Sequence, residues 1–111
     1  MADRPLLWMG SSLNDLRAFP RDARREAGLQ LRRVQQGLMP TDFKPLGTVG
    51  HGVYEVRIHT TKEHRVVYVA KFVEGVYVLH AFEKRSRRTR GVDVELARRR
   101  LTDVLRQRGS R

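Results

Sequence analysis

The chain has 111 residues, a formal net charge of +11 and no cysteine. Its length fits one domain with a real core, and the missing cysteines exclude disulfides and thiolate metal sites. A charge that high points to a polyanionic partner. Hydrophobic residues make up 40% of the chain, too many for a disordered basic tail. The apolar runs are too short to cross a membrane. The opening MADRPLLWMG has no apolar stretch of signal-peptide length, so a cytoplasmic protein without a membrane partner is expected. The charge is uneven, with net +3 over residues 1–83 and net +8 over 84–111.

Leu6, Leu7, Trp8 and Met9 follow Pro5 and predict a first strand. Ser12 to Asp15 has the spacing of a capping box, which predicts a short helix burying Leu13 and Leu16 and stopping near Phe19. Pro20 suits the first position of a second helix. Ala23, Ala27, Leu31, Val34 and Leu38 form one apolar stripe along it, and Arg21, Arg24, Arg25, Arg32 and Arg33 lie away from that stripe. Gly37 and Pro40 end it. Residues 39–52, with two prolines and three glycines, read as loop. Three antiparallel strands are predicted next, over Val53–His59, Arg65–Phe72 and Val76–Lys84, with a tight turn at Glu74–Gly75 between the last two. A final helix follows Gly91, with Val94, Ala97, Leu101, Val104 and Leu105 on one stripe and a frayed end over 107–111. The expected fold is a single α+β domain over 1–111. Its order is strand, helix, helix, three strands and C-terminal helix, with a helical hairpin packed on one face of a twisted sheet.

Alternation then sorts the strand side chains. Opposing Ile58 to Arg65 would put an unpaired guanidinium in the apolar layer, at a cost of several kcal/mol. Opposing Arg57 to Arg65 gathers the large apolar side chains on the other face. That register leaves Glu55, Arg57, His59, Arg65, His80, Phe82 and Lys84 on an open cationic face, opposite a face shared by Tyr77, Leu79 and Ala81.

The segments V-Y-E-V-R-I (53–58), H-R-V-V-Y (64–68), L-H-A-F-E-K-R (79–85) and R-R-T (87–89) stand ahead of E-L-A-R-R-R-L (95–101). With W-M-G-S-S-L-N-D-L-R-A-F-P (8–20) and D-F-K-P-L (42–46), this ordered set resembles the HigB-like, phage-derived branch of the RelE/ParE toxin superfamily. The resemblance runs from Trp8 to about Leu105. It implies a RelE-like fold and the toxin of a type II toxin–antitoxin system: a metal-independent, ribosome-dependent mRNA endonuclease that inhibits translation. It also implies a cognate antitoxin of the HigA-like, helix-turn-helix kind, with DNA contacted only through the antitoxin complex. The alternatives are a ParE-like toxin that inhibits gyrase and a non-enzymatic, phage-derived nucleic-acid-binding module.

In such a nuclease the ribose 2′-OH attacks the adjacent phosphate. The protein helps deprotonate the hydroxyl, neutralise the phosphorane and protonate the leaving oxygen. Arg57 and Arg65 suit the phosphate role, because a guanidinium fork contacts two oxygens at once; the bland reading is that they pair with Glu55 or Glu63. Lys84 is assigned to transition-state stabilisation or proton exchange, against plain phosphate contact. His59, His80 and Glu55 are secondary candidates, as acids or bases or as ion-pair partners. Lys44, Lys62, Phe82, Arg85, Arg87 and Arg88 are candidate contacts to RNA or ribosome, with Phe82 as a stacking platform. His51, His59, His64 and His80 lack metal-ligand spacing, so neither metal nor cofactor is expected.

Overall fold

A computed structural model describes residues 3–109. Along them run β1 (Leu6–Trp8), α1 (Ser12–Arg17), α2 (Arg21–Gln35), β2 (Phe43–Pro45), β3 (Val53–His59), β4 (Glu63–Val69), β5 (Val76–Glu83) and α3 (Gly91–Gly109). The strands form one mixed sheet in the order β1-β5-β4-β3-β2. β1 runs parallel to β5, and every other pair is antiparallel. This is the expected α+β order with one strand added. No helix among the described residues is long and apolar enough to cross a membrane.

Arg57 does stand opposite Arg65. That register sends Val56, Ile58, Val66 and Tyr68 to a core roofed by Leu16 and Phe19 and by Ala23, Ala27, Leu31 and Val34 of α2. The other face is not open along its whole length. Ala97, Leu101 and Val104 of α3 cover Val53, Val67, Val69, Tyr77 and Leu79 there and build a second core. Polar chemistry is confined to the end of that face beyond these valines.

Several local expectations give way to tertiary contacts. Ser12 does not cap α1: its hydroxyl is buried and donates to the Val78 carbonyl at 3.1 Å, and Ser11 takes the N-cap position. Leu13 is half-buried rather than core. Pro20 is the residue before α2, with ψ 152°, and not its first turn. Leu38 lies past the helix end and is exposed, as is Leu105. β2 lies inside the stretch read as loop; three residues ending in proline make a strand only because β3 offers an edge to pair with.

β4 ends at Val69, so Glu74–Gly75 is not a tight turn; residues 70–75 connect the strands. That connection is pinned to the start of β1. The Arg4 guanidinium donates to the carbonyls of Phe72 and Gly75, and the Val76 N–H donates to Pro5 at 2.9 Å. A Cβ on Gly75 would stand 2.7 Å from the Pro5 carbonyl oxygen, which explains the glycine. α3 runs to Gly109, past the expected fraying point, because Arg108 lies over the Phe72 ring and pairs with Glu74. Residues 110–111 of that expectation lie outside the described residues.

The pairing of β4 with β5 slips by one residue. Val67 faces His80, whereas Tyr68 faces Val78, so Leu79 is the extra residue of a bulge. Tyr77 and Leu79 therefore face α3, and Ala81 packs in the other core, contrary to the shared face expected of the three. Buried Arg100 secures the bulge. It donates to the Leu79 carbonyl at 2.9 Å and to the Ser11 hydroxyl at 2.9 Å, tying α3 to β5 and α1. Replacing Arg100 by Ala strands that carbonyl and should cost about 2–3 kcal/mol in urea denaturation. Arg99→Ala, on the exposed side of the same helix, should stay within about 0.5 kcal/mol.

Candidate functional site

The site grows from one problem in β3 and β4. Two arginines stand directly opposite each other on one face, and like charges in that position repel. Carboxylates surround them. Glu55 precedes Arg57 by two residues and so shares its face. It is fully buried, with Oε1 3.6 Å from Arg65 Nε and 3.6 Å from Lys44 Nζ, and its Oε2 accepts from the Thr89 hydroxyl at 2.7 Å. Glu55 therefore holds Arg65 and Lys44, not Arg57, and it is closed off from any substrate. This corrects its place on an open face and removes it as a general base. β2 is what brings Lys44 there, since Lys44 pairs with Glu55 across the edge.

The two arginines differ in freedom. The Arg65 side chain is only 6% exposed and also donates to Glu63 Oε1 at 3.0 Å and to the His64 carbonyl at 2.9 Å. The Arg57 side chain is 38% exposed and has a looser partner, Asp42 at 3.9 Å. Arg65 lines a recess together with Glu63, Lys84, Arg85, Ser86 and Arg87. Lys84 is half-buried, set one residue beyond β5 by its N–H bond to the Glu63 carbonyl at 2.8 Å. Burial, and then the neighbouring cations of Arg65 and Lys44, hold its amine below the usual lysine range.

The histidines take other places. His59 is exposed at the end of β3, with Nε2 2.5 Å from Asp42 and Nδ1 2.7 Å from Glu63; these contacts raise its pKa, the Glu63 bond foremost. His80 is buried, not on an open face: it lies opposite Val67 on the face of Arg65, as alternation requires, but α3 covers this part of the face and sets Asp93 2.8 Å away. Phe82 stacks on His80 with ring centroids 4.8 Å apart and packs at the margin of the second core, so it is half-buried and no free platform. His64 sits opposite Ile58 on the other face, against Phe19, where burial lowers its pKa.

Among the expected RNA contacts, Lys62 and Arg85 both reach Glu83, at 4.0 and 3.1 Å, while remaining largely exposed. Arg87 and Arg88 are exposed. They line a second basic groove with Lys44, Thr89 and Arg98, and Arg87 borders both recesses. The structure thus brings together Arg57, Arg65, Lys84 and His59, and sets His80 apart. Asp42, the partner of both Arg57 and His59, has no sequence signal beyond lying two residues before Lys44. Thr89 acquires its role only from the fold.

Arg65→Ala leaves the Glu55 carboxylate buried without its guanidinium and should destabilise the protein by about 3 kcal/mol. Arg57→Ala, at a half-exposed position, should cost less than about 1 kcal/mol. Urea unfolding of the two variants separates these outcomes.

No curated protein matches the chain significantly. The family model for Phage derived protein Gp49-like (DUF891) matches residues 14–102, from α1 into α3 and including every candidate site residue. The chain belongs to the Gp49-like family of phage-derived proteins.

Proposed function

We propose that this protein is the toxin of a type II toxin–antitoxin pair, a RelE-like endoribonuclease that cuts mRNA on the ribosome. Membership of a phage-derived family is compatible with a toxin role. The observation that carries the reading is the pairing of Arg57 with Arg65 across β3 and β4, Arg65 lining one recess with Lys84. Arg57 has the exposure to grip a phosphate. Arg65, held from behind by Glu55, supplies a fixed cation at the same spot. Such preorganised charge is worth most where negative charge develops, on the phosphorane formed by 2′-OH attack.

Lys84 is the group left for proton transfer. Both ring nitrogens of His59 are engaged by carboxylates, His80 is buried against Asp93, and Glu55 is closed off. An amine held below its ordinary range by burial, and then by neighbouring cations, gives up a proton to the leaving 5′-oxygen more readily. The mechanism assigns no step to a metal. Arg85, Arg87 and Arg88 supply the attraction to RNA, and a ribosomal platform supplies the orientation that a small protein with few substrate contacts lacks. The reading places its action in the cytoplasm. It also calls for a HigA-like antitoxin whose acidic or apolar segment covers the cationic recess.

Ribosomes programmed with mRNA should support cutting by the purified protein, and EDTA at a level that spares the ribosomes should not abolish it. Arg57→Ala should lower the rate by about 10²–10³. Arg65→Lys keeps a charge for Glu55 but loses the fork, and should fall toward the same range. Arg99→Ala should cut like the parent. Intact mRNA together with a block in DNA supercoiling would replace this reading by a ParE-like, gyrase-inhibiting one.

Replacing Arg85, Arg87 and Arg88 by Ser should weaken ribosome binding and make its salt dependence shallower, by about 0.7–0.9 log units for each phosphate that is no longer neutralised. Cleavage at saturating protein should survive. Titrations at several salt concentrations measure both quantities; a collapse of the saturated rate with unchanged affinity would move catalysis onto this segment.

A further inference from the structure

Arg57, Asp42, His59, Glu63 and Arg65 form a continuous chain of contacts. Arg57 Nη1 is 3.9 Å from Asp42 Oδ1, and Asp42 Oδ2 is 2.5 Å from His59 Nε2. His59 Nδ1 is 2.7 Å from Glu63 Oε1, and that same oxygen accepts from Arg65 Nη1 at 3.0 Å. The imidazole thus sits midway between the carboxylates that partner the two opposed guanidinium groups. We propose that His59 is a positioning residue that, as an imidazolium, bridges Asp42 and Glu63 and keeps these carboxylates from claiming the phosphate-binding faces of Arg57 and Arg65. It rests on the reading of Arg57 and Arg65 as phosphate ligands, and goes beyond it in giving that site a proton-controlled gate.

Three physical points support the role. An imidazole donates from both nitrogens only when protonated, and both nitrogens here face carboxylate oxygens. These ring nitrogens point apart, so the group cannot converge on a bound cation, and no such cluster exists among the described residues. The charged groups around His59 are Asp42 ahead of β2, Arg57 on β3, and Glu63 and Arg65 on β4; Lys62 is turned toward Glu83. With His59 protonated, the Asp42–His59–Glu63 unit carries one net negative charge; with it neutral, the unit carries two. Loss of the proton therefore adds negative charge at the rim of a site that takes an anion. It also frees one carboxylate to bond more fully to an arginine. The sign follows from the raised pKa of His59: the bridge is complete below the ordinary histidine value of 6.5 and is lost as the pH rises through the folded-state value.

The test uses a 2′-O-methyl oligoribonucleotide, which binds but cannot be cut, and reads affinity by fluorescence anisotropy from pH 5.5 to 9. The His59 ring is titrated in parallel by NMR. Affinity of the wild-type protein should fall roughly three- to five-fold across the titration of that ring. His59→Gln, which cannot carry the charge, should bind at acid pH as weakly as wild type does at pH 9 and show a flat profile. His59→Lys restores a fixed cation and should keep the acid-pH affinity up to pH 9. Thermal melts of both variants report whether the fold is kept. A wild-type affinity that ignores the titration, or a His59→Gln profile that follows wild type, would overturn the inference. Cleavage is not needed for any of these outcomes: a protein that binds with the expected pH dependence but fails to cut on ribosomes would sink the nuclease reading and leave the bridge standing.

Discussion

Two cations standing opposite each other across a strand pair must be compensated, and the site is organised by how Arg57 and Arg65 achieve this. The alternative register would place a guanidinium among Val56, Ile58 and Val66, which is costlier than repulsion at a half-wet edge. The sheet therefore accepts the arginine pair and recruits anions to it. Glu55 compensates Arg65 from beneath, in a dry environment where the contact is strong but demands a complete set of partners. Lys44 adds a second cation at 3.6 Å and Thr89 a hydrogen bond at 2.7 Å, and each comes from a different segment, β2 and the approach to α3. One buried carboxylate thereby draws three separate parts of the chain around the recess.

The bulge at Leu79 divides the labour of β5. An extra residue on an otherwise regular strand turns Tyr77 and Leu79 to the side of His80, toward α3, and leaves Ala81 on the helical-hairpin side. α3 can then cover the valine end of the sheet while the strand continues to Lys84 at the charged end. The bulge leaves a carbonyl in need of a donor, and Arg100 supplies it from the helix that the bulge accommodates. Gly10 belongs to the same arrangement: its φ of 54° suits glycine, and a Cβ there would press on the Arg100 guanidinium at 2.5 Å. The order of the charged end thus depends on a contact made within the apolar half.

What was legible in the sequence follows from which forces act locally. The α2 stripe and the β3–β4 register rest on periodicity and on the cost of burying a guanidinium, and both are present in the fold. β2 was not legible, because three residues ending in Pro45 have no strand pattern of their own. The bulge was not legible either, since Leu79 looks like any core strand residue; missing it put Tyr77 and Leu79 on the face of Ala81, whereas His80 and Phe82 do share the face of Arg65 and lose their openness to the cover of α3. Arg100 carried a readable signal: it lies three residues after Ala97 and four before Val104, on the buried stripe of α3, but Arg98 and Arg99 beside it hide that signal in a run of like residues. Glu55 alternates correctly with Arg57; its complete burial depends on Lys44 and Thr89 arriving from elsewhere.

The basic residues at this end fall into two physical populations. Arg65, Lys44 and Lys84 are partly or wholly buried and sit near compensating or crowding charges, so their geometry is fixed and their number of free donors is small. Arg87 and Arg88 are exposed, and Arg85 is exposed with one partner, so they supply field with little shape. A polyanion approaching this surface would meet the second population first, through long-range attraction that salt screens, and the first only at contact distance. The order matters for a protein of this size. Attraction without shape would collect many ligands, while a recess with fixed cations would favour a phosphate presented in the right orientation. Selectivity would then reside in whatever holds the strand in that orientation, which a small sheet face cannot do alone and a larger assembly can.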